Sequence, residues 1–137
     1  MLQVVAAAPL TRLVELPGRG VTRVWECAGP PGAGTLMLIH GVACTAELNW
    51  GKVLAPLAAH FRVIAADLRG HGDGIRAESR FRLEDCADDV AALAAALGTS
   101  KFTAVGCYRP CYLNIQRLNY LWTIRHSSAR IAGNLVT

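Results

Sequence analysis

A chain of 137 residues, 53% hydrophobic and 18% charged, is long enough for one domain and apolar enough to bury a core, which excludes disorder by composition. Its net charge of +4 is unevenly placed: residues 1–100 hold nine basic and ten acidic residues, whereas residues 101–137 hold Lys101, Arg109, Arg117, Arg125 and Arg130 and no acidic one. No run of about 18 apolar residues is present, so no membrane partner is expected.

The N-terminus, Met1-Leu2-Gln3-Val4-Val5, has no basic residue before its short apolar stretch, and Pro9 interrupts that stretch; no signal peptide is expected. Arg12–Leu16 and Val21–Cys27 are short β-like runs separated by the turn cluster Pro17-Gly18-Arg19-Gly20, which predicts an antiparallel hairpin. Gly29–Gly34 (GPPGAG) is a loop. It lacks the lysine of a phosphate-binding loop and precedes a strand rather than a helix, so it reads as a turn feeding that strand. Thr35–Ile39 is a continuous apolar run, as expected of a strand buried on both faces. Trp50–His60 has apolar Val53, Leu54, Leu57 and Ala58 at helical spacing, with Pro56 inside as a potential kink. Arg62–Ala66 is a second buried strand, and Arg69–Arg80 a glycine-rich charged loop.

Leu83–Leu97 is the clearest helix. Val90, Leu93, Ala94 and Leu97 line one stripe, and Glu84, Asp85, Asp88 and Asp89 crowd the half nearer the positive end of the helix dipole. Gly98 stands where a C-terminal cap belongs. Phe102–Val105 is a third buried strand ending at Gly106. The order, hairpin then β-α-β-α-β, predicts an α/β fold with a parallel sheet and right-handed crossovers. Five cysteines (Cys27, Cys44, Cys86, Cys107, Cys111) without framework spacing point to a reducing, cytoplasmic setting. No spacing supports a metal site from His40, His71 and a cysteine, and no cofactor motif is present.

Two strand ends carry the most information. Leu36–Val42 (LMLIHGV) closes in His40-Gly41, and Val63–Gly72 (VIAADLRGHG) in Asp67-Leu68-Arg69-Gly70-His71-Gly72. Open α/β sheets place their chemistry at such strand ends. With Trp50 at the next predicted helix start and the run His60–Gly72 (HFRVIAADLRGHG), the constellation resembles the α/β-hydrolase family over about residues 15–106. The resemblance implies the N-terminal half of a hydrolase sheet, acting on an ester or related bond of a small apolar molecule through a serine acyl-enzyme. It also implies that the Val42 N–H is an oxyanion donor, that Gly41 permits the turn, and that His40, Asp67, Arg69, Gly70, His71 and Gly72 are scaffold beside the site. Asp67 and Arg69 are expected to pair across their turn.

The family places a G-x-S-x-G nucleophile elbow after the third of these strands. This chain reads Gly106-Cys107-Tyr108-Arg109-Pro110, with Tyr108 in the serine position and Pro110 in that of the second glycine. Cys107 is one residue early for a nucleophile. No acidic residue follows Asp89, and His126 precedes Ser127 and Ser128 without an acid to orient it. Acidic residues vanish and the tyrosines (Tyr108, Tyr112, Tyr120) appear close to Gly106. These changes divide the chain into a partial hydrolase domain, 1–106, and a divergent basic tail, 107–137, as an interruption of the reading frame near codon 106 would leave it. No triad-based activity is then expected. The alternative is a small basic binding module in which Arg109, Arg117 and Arg125, with aromatic residues between them, face an anionic surface; nucleic acid is not the expected partner. A half-domain would also expose its last strand as a sheet edge, favouring self-association.

Overall fold

The computed structural model describes residues 8–78 and 80–106. Strands β1 (Leu10–Leu16) and β2 (Gly20–Cys27) form the expected hairpin, slightly longer than its apolar runs, in register from Leu10 opposite Glu26 to Leu16 opposite Gly20. The turn needs its glycines: Gly18 and Gly20 have φ of 70° and 131°, where a side chain is strained. Three strands follow, β3 (Thr35–Ile39), β4 (Arg62–Ala66) and β5 (Thr103–Gly106), joined by helices α1 (Ala46–Ala58) and α2 (Leu83–Ala96). The sheet order is β1-β2-β4-β3-β5.

β3 pairs in parallel with both β4 and β5, as expected, whereas β2 pairs antiparallel with β4, so the whole sheet is mixed. From β3 the chain moves outward to β4 and then returns across β3 to β5. Crossovers of one hand in opposite directions put their helices on opposite faces. α1 accordingly buries Ala46, Leu54 and Ala58 with Trp25, Leu38, Val63 and Ala65. α2 buries Cys86, Ala87, Val90, Leu93 and Ala94 against Met37, Ile39, Ile64 and Ala66. Successive residues of β4 thus serve different cores, which is why its run is apolar throughout.

Helix α1 begins four residues before Trp50, the expected start. Thr45 is its N-cap, accepting the Leu48 N–H at 3.2 Å, and the helix runs through Pro56 to Ala58. α2 ends as the glycine signal implied. The Gly98 N–H donates to Ala95 O and the Thr99 N–H to Ala94 O, with Gly98 at φ 65°, the Schellman arrangement. Among the described residues β5 is the outermost strand on its side, and Thr103, Val105 and Gly106 are only half-buried. No helix among the described residues is long and apolar enough to cross a membrane. The divergent tail, 107–137, with the elbow positions Cys107 and Tyr108, lies outside the described residues.

Candidate functional site

The register sets the ends of the three parallel strands side by side: Ile39 lies opposite Ala66 on one flank and Gly106 on the other. The loops that follow β3 and β4 therefore meet, and Gly106 ends beside the start of the first.

His40 joins the two loops. It is fully buried, and its Nε2 accepts the Leu68 N–H at 2.9 Å. The proton must then sit on Nδ1, which donates to Gly41 O at 2.7 Å. The ring is a neutral bridge. Burial pushes its pKa below the ordinary histidine value, the Gly41 hydrogen bond opposes this, and the neighbouring His71 adds to it. His71 stacks edgewise on His40 with ring centroids 5.3 Å apart, and on Phe81 from its other side at 5.9 Å.

Asp67 is buried and its carboxylate is fully engaged. Oδ1 accepts the Ala46 N–H at 2.9 Å, at the start of α1, and Oδ2 accepts the Asp73 N–H at 3.0 Å. Its backbone is held by Thr22 Oγ1, which donates to Asp67 O at 2.7 Å. The expected Asp67–Arg69 pair does not form. Arg69 places its guanidinium on Asp89 of α2, Nε to Oδ2 at 2.6 Å and Nη2 to Oδ1 at 2.9 Å. Arg19, from the hairpin turn, reaches the same carboxylate at 2.6 Å. β4 ends at Ala66, so strand alternation no longer sets these side chains; the turn that follows sends Asp67 to the first amide of α1 and Arg69 to Asp89 of α2. Asp89 is consequently turned inward as a clamp, rather than serving the helix dipole.

Gly72 is required by this network. Its φ is 48°, and a Cβ there would collide with Asp67 Oδ2. Gly70, at φ 74°, donates its N–H to Ile75 O at 2.9 Å and closes the loop.

The shorter turn after β3 differs. The Gly41 N–H is taken by Asn49 Oδ1 at 2.9 Å. The Val42 N–H has no acceptor among the described residues, and Val42 is 50% exposed. Ala43 is held at φ 58°, a left-handed conformation that costs a non-glycine residue about 1 kcal/mol. Thr45 and Asn49, which fix this turn to α1, were not singled out by the sequence. Thr45 had a legible signal, a hydroxyl residue just before a helix, whereas the Asn49 contact spans eight residues and follows no pattern. Trp50 sits within α1 with its indole N–H buried and unpartnered among the described residues. No three histidine, cysteine, aspartate or glutamate side chains gather as a metal site among the described residues.

Comparison with known proteins adds to this geometry. The family described as alpha/beta hydrolase fold matches residues 34–107. The chain is 35% identical over 101 residues to the dihydrolipoyllysine-residue acetyltransferase component of the acetoin cleaving system of Pseudomonas putida, covering 74% of this chain and 26% of that protein. It is 36% identical over 74 residues to the pimeloyl-[acyl-carrier protein] methyl ester esterase of Sodalis glossinidius, covering 54% and 28%. A solved epoxide hydrolase from an endophytic Streptomyces superposes with a TM-score of 0.64 at 29% identity, covering 72% of this chain and 29% of that one. The chain thus spans about a quarter of the length of the curated relatives it matches.

Proposed function

Because this chain belongs to the α/β-hydrolase fold family, we propose that its described residues form the oxyanion side of a hydrolytic site for an ester or related bond of a small apolar molecule. The observation that carries this reading is the Val42 N–H, which has no acceptor among the described residues and is presented in a strained turn at the end of a parallel strand. When a nucleophile attacks a carbonyl, negative charge builds on its oxygen, and a fixed amide donor there lowers the barrier. Gly41 is a different case: its amide is committed to Asn49, so it shapes the turn and does not donate. His40, Asp67, Arg69, Gly70, His71 and Gly72 act as scaffold, holding the turn through bonds to backbone, to α1 and to α2. None of them is assigned contact with a reacting atom.

The second donor in such sites comes from the residue after the nucleophile. Gly106 ends β5 opposite Ile39, so an elbow continuing from it would begin beside the Val42 turn. With Tyr108 in the serine position and no acid after Asp89, these 137 residues by themselves carry no triad turnover. The family match ends at residue 107, where the composition changes, which supports an interruption near codon 106; translating the gene in all frames tests it, and finding no S-x-G elbow in any frame removes it. The three relatives bear names of different reactions, an acetyl transfer, an ester cleavage and an epoxide hydrolysis, so no substrate is carried over from any one of them.

Two measurements test the reading. With short-chain p-nitrophenyl esters the full chain is expected to hydrolyse no faster than buffer; turnover that disappears in Cys107→Ala would overturn the inactive reading. In amide NMR, butyrate or methylphosphonate as an oxyanion probe should shift the Val42 N–H and leave Gly41 in place; equal shifts at both would remove the oxyanion assignment. Among the described residues β5 is the outermost strand on its side, which supports self-association; size-exclusion chromatography across concentrations detects it.

A further inference from the structure

The sheet order puts β4 between the Val42 turn and a second concavity, an open cleft of about 740 Å³. One wall is the hairpin turn with the start of β2, and the other is the loop after β4. Its floor includes Leu13 and Val21, 62% and 46% exposed, on the sheet face whose helix α1 packs over β2, β3 and β4. Four arginines, Arg19, Arg23, Arg69 and Arg76, are also in its lining.

These four are not equivalent. Arg19 and Arg69 have their guanidinium groups on Asp89, which is not part of the lining. Arg23 gives one Nη2 to Asp73 at 3.0 Å, with both side chains largely exposed, so water screens that pair. Arg76 gives Nη2 to Gly72 O at 3.1 Å and makes no ion pair among the described residues. Arg23 and Arg76 therefore retain donors beside an apolar floor.

The walls are fixed to each other before any ligand arrives. The Arg23 N–H donates to Asp73 O at 3.2 Å, tying β2 to the loop. Gly20 allows Ile75 to close in: a Cβ at Gly20 would lie 3.1 Å from Ile75 Cγ2. A guanidinium fork suits the oxygens of phosphate or carboxylate, and a pre-formed cleft loses little entropy on binding.

We propose that this cleft is a binding site for an amphipathic anion, a phosphate or carboxylate on a short apolar chain, with Arg23 and Arg76 on the oxygens and Leu13 and Val21 under the chain. Glu78, also in the lining and outside any ion pair among the described residues, adds a negative charge that weakens the hold of the cleft on an anion. The site is independent of the hydrolytic reading.

The test is arginine modification by phenylglyoxal on the full chain, located by peptide mass, with butyl phosphate, butyrate and inorganic phosphate as probes. Butyl phosphate or butyrate should slow modification of Arg23 and Arg76 about tenfold, and leave Arg12 and Arg82 unprotected; these are 46% and 63% exposed and lie outside the cleft. Whichever organic probe protects identifies the headgroup, and inorganic phosphate should protect less because it gains nothing from the floor. Arg76→Ala should weaken protection of Arg23 about tenfold, the worth of one charge-assisted hydrogen bond. Glu78→Gln should strengthen it, a gain that damage to the fold would not produce. Unchanged rates at Arg23 and Arg76, or equal protection at Arg12, would overturn the site. Equal protection by inorganic phosphate would overturn the amphipathic ligand.

Discussion

The two loops that follow β3 and β4 start alike, each an apolar parallel strand ending in a polar, glycine-bearing turn, and they finish differently. After β4 the polar groups are used internally: Asp67 holds α1 and its own loop, Arg69 holds Asp89, and His71 packs between His40 and Phe81. After β3 the turn leaves the backbone amide of Val42 without an acceptor among the described residues and keeps a non-glycine residue in the left-handed region. The loop richer in charged residues thus satisfies its polar groups internally, whereas the plainer loop leaves one amide without an acceptor among the described residues. Chemically conspicuous side chains in a motif are often fully committed to structure, so availability has to be judged from hydrogen-bond partners.

Replacing Asp67 by Ala strikes the supporting loop hardest. It strands the Ala46 and Asp73 amides and is expected to cost about 3–5 kcal/mol by denaturant unfolding; a loss below about 1 kcal/mol would mean the loop does not depend on this carboxylate. Asp89→Ala leaves Arg19 and Arg69 without their acceptor. Both retain some exposure, so the expected cost is smaller, about 2 kcal/mol in the same measurement.

Acid acts on the link between the loops. Burial lowers the pKa of His40 in the folded chain, while the unfolded chain keeps the ordinary value near 6.5. The unfolded state then binds the extra proton first. The stability is fully present above about pH 6.5 and declines as pH falls toward the folded pKa, at up to about 1.4 kcal/mol per pH unit. His40→Gln should flatten this part of the profile; an unaltered slope would place the pH dependence elsewhere. The smallest effect is expected in the first turn: Ala43→Gly relieves the positive φ and should stabilise by about 0.5–1 kcal/mol. Stabilisation there, against large losses from the second loop, would sharpen the contrast between a strained turn and a satisfied one.

Much of this was legible in the residues because it is local. Thr35–Ile39 and Arg62–Ala66 read as strands buried on both faces because consecutive apolar residues serve two cores, and both form as read. Gly98 announced the end of α2 because only its left-handed backbone closes the Schellman bonds cheaply. The start of α1 was misplaced because Thr45-Ala46-Glu47 has little apolar periodicity; its N-cap hydroxyl and the carboxylate of Asp67 supply what the pattern lacks. The pairing of Asp67 with Arg69 failed because the turn after β4 aims the two side chains at different partners, Asp67 at the Ala46 amide and Arg69 at Asp89.

The sequence by itself determined the strands, the helices, the left-handed glycines and, through the motifs at two strand ends, the α/β-hydrolase frame, because each depends on dihedral preferences and side-chain periodicity within a few residues. The tertiary structure alone decided the strand order, the partners of the charged residues, the tautomer of His40 and which amide of the β3 turn has no acceptor among the described residues. Those depend on groups distant along the chain, such as Arg19 and Asp89, 70 residues apart, whose meeting is set by how the helices cover the two faces of the sheet.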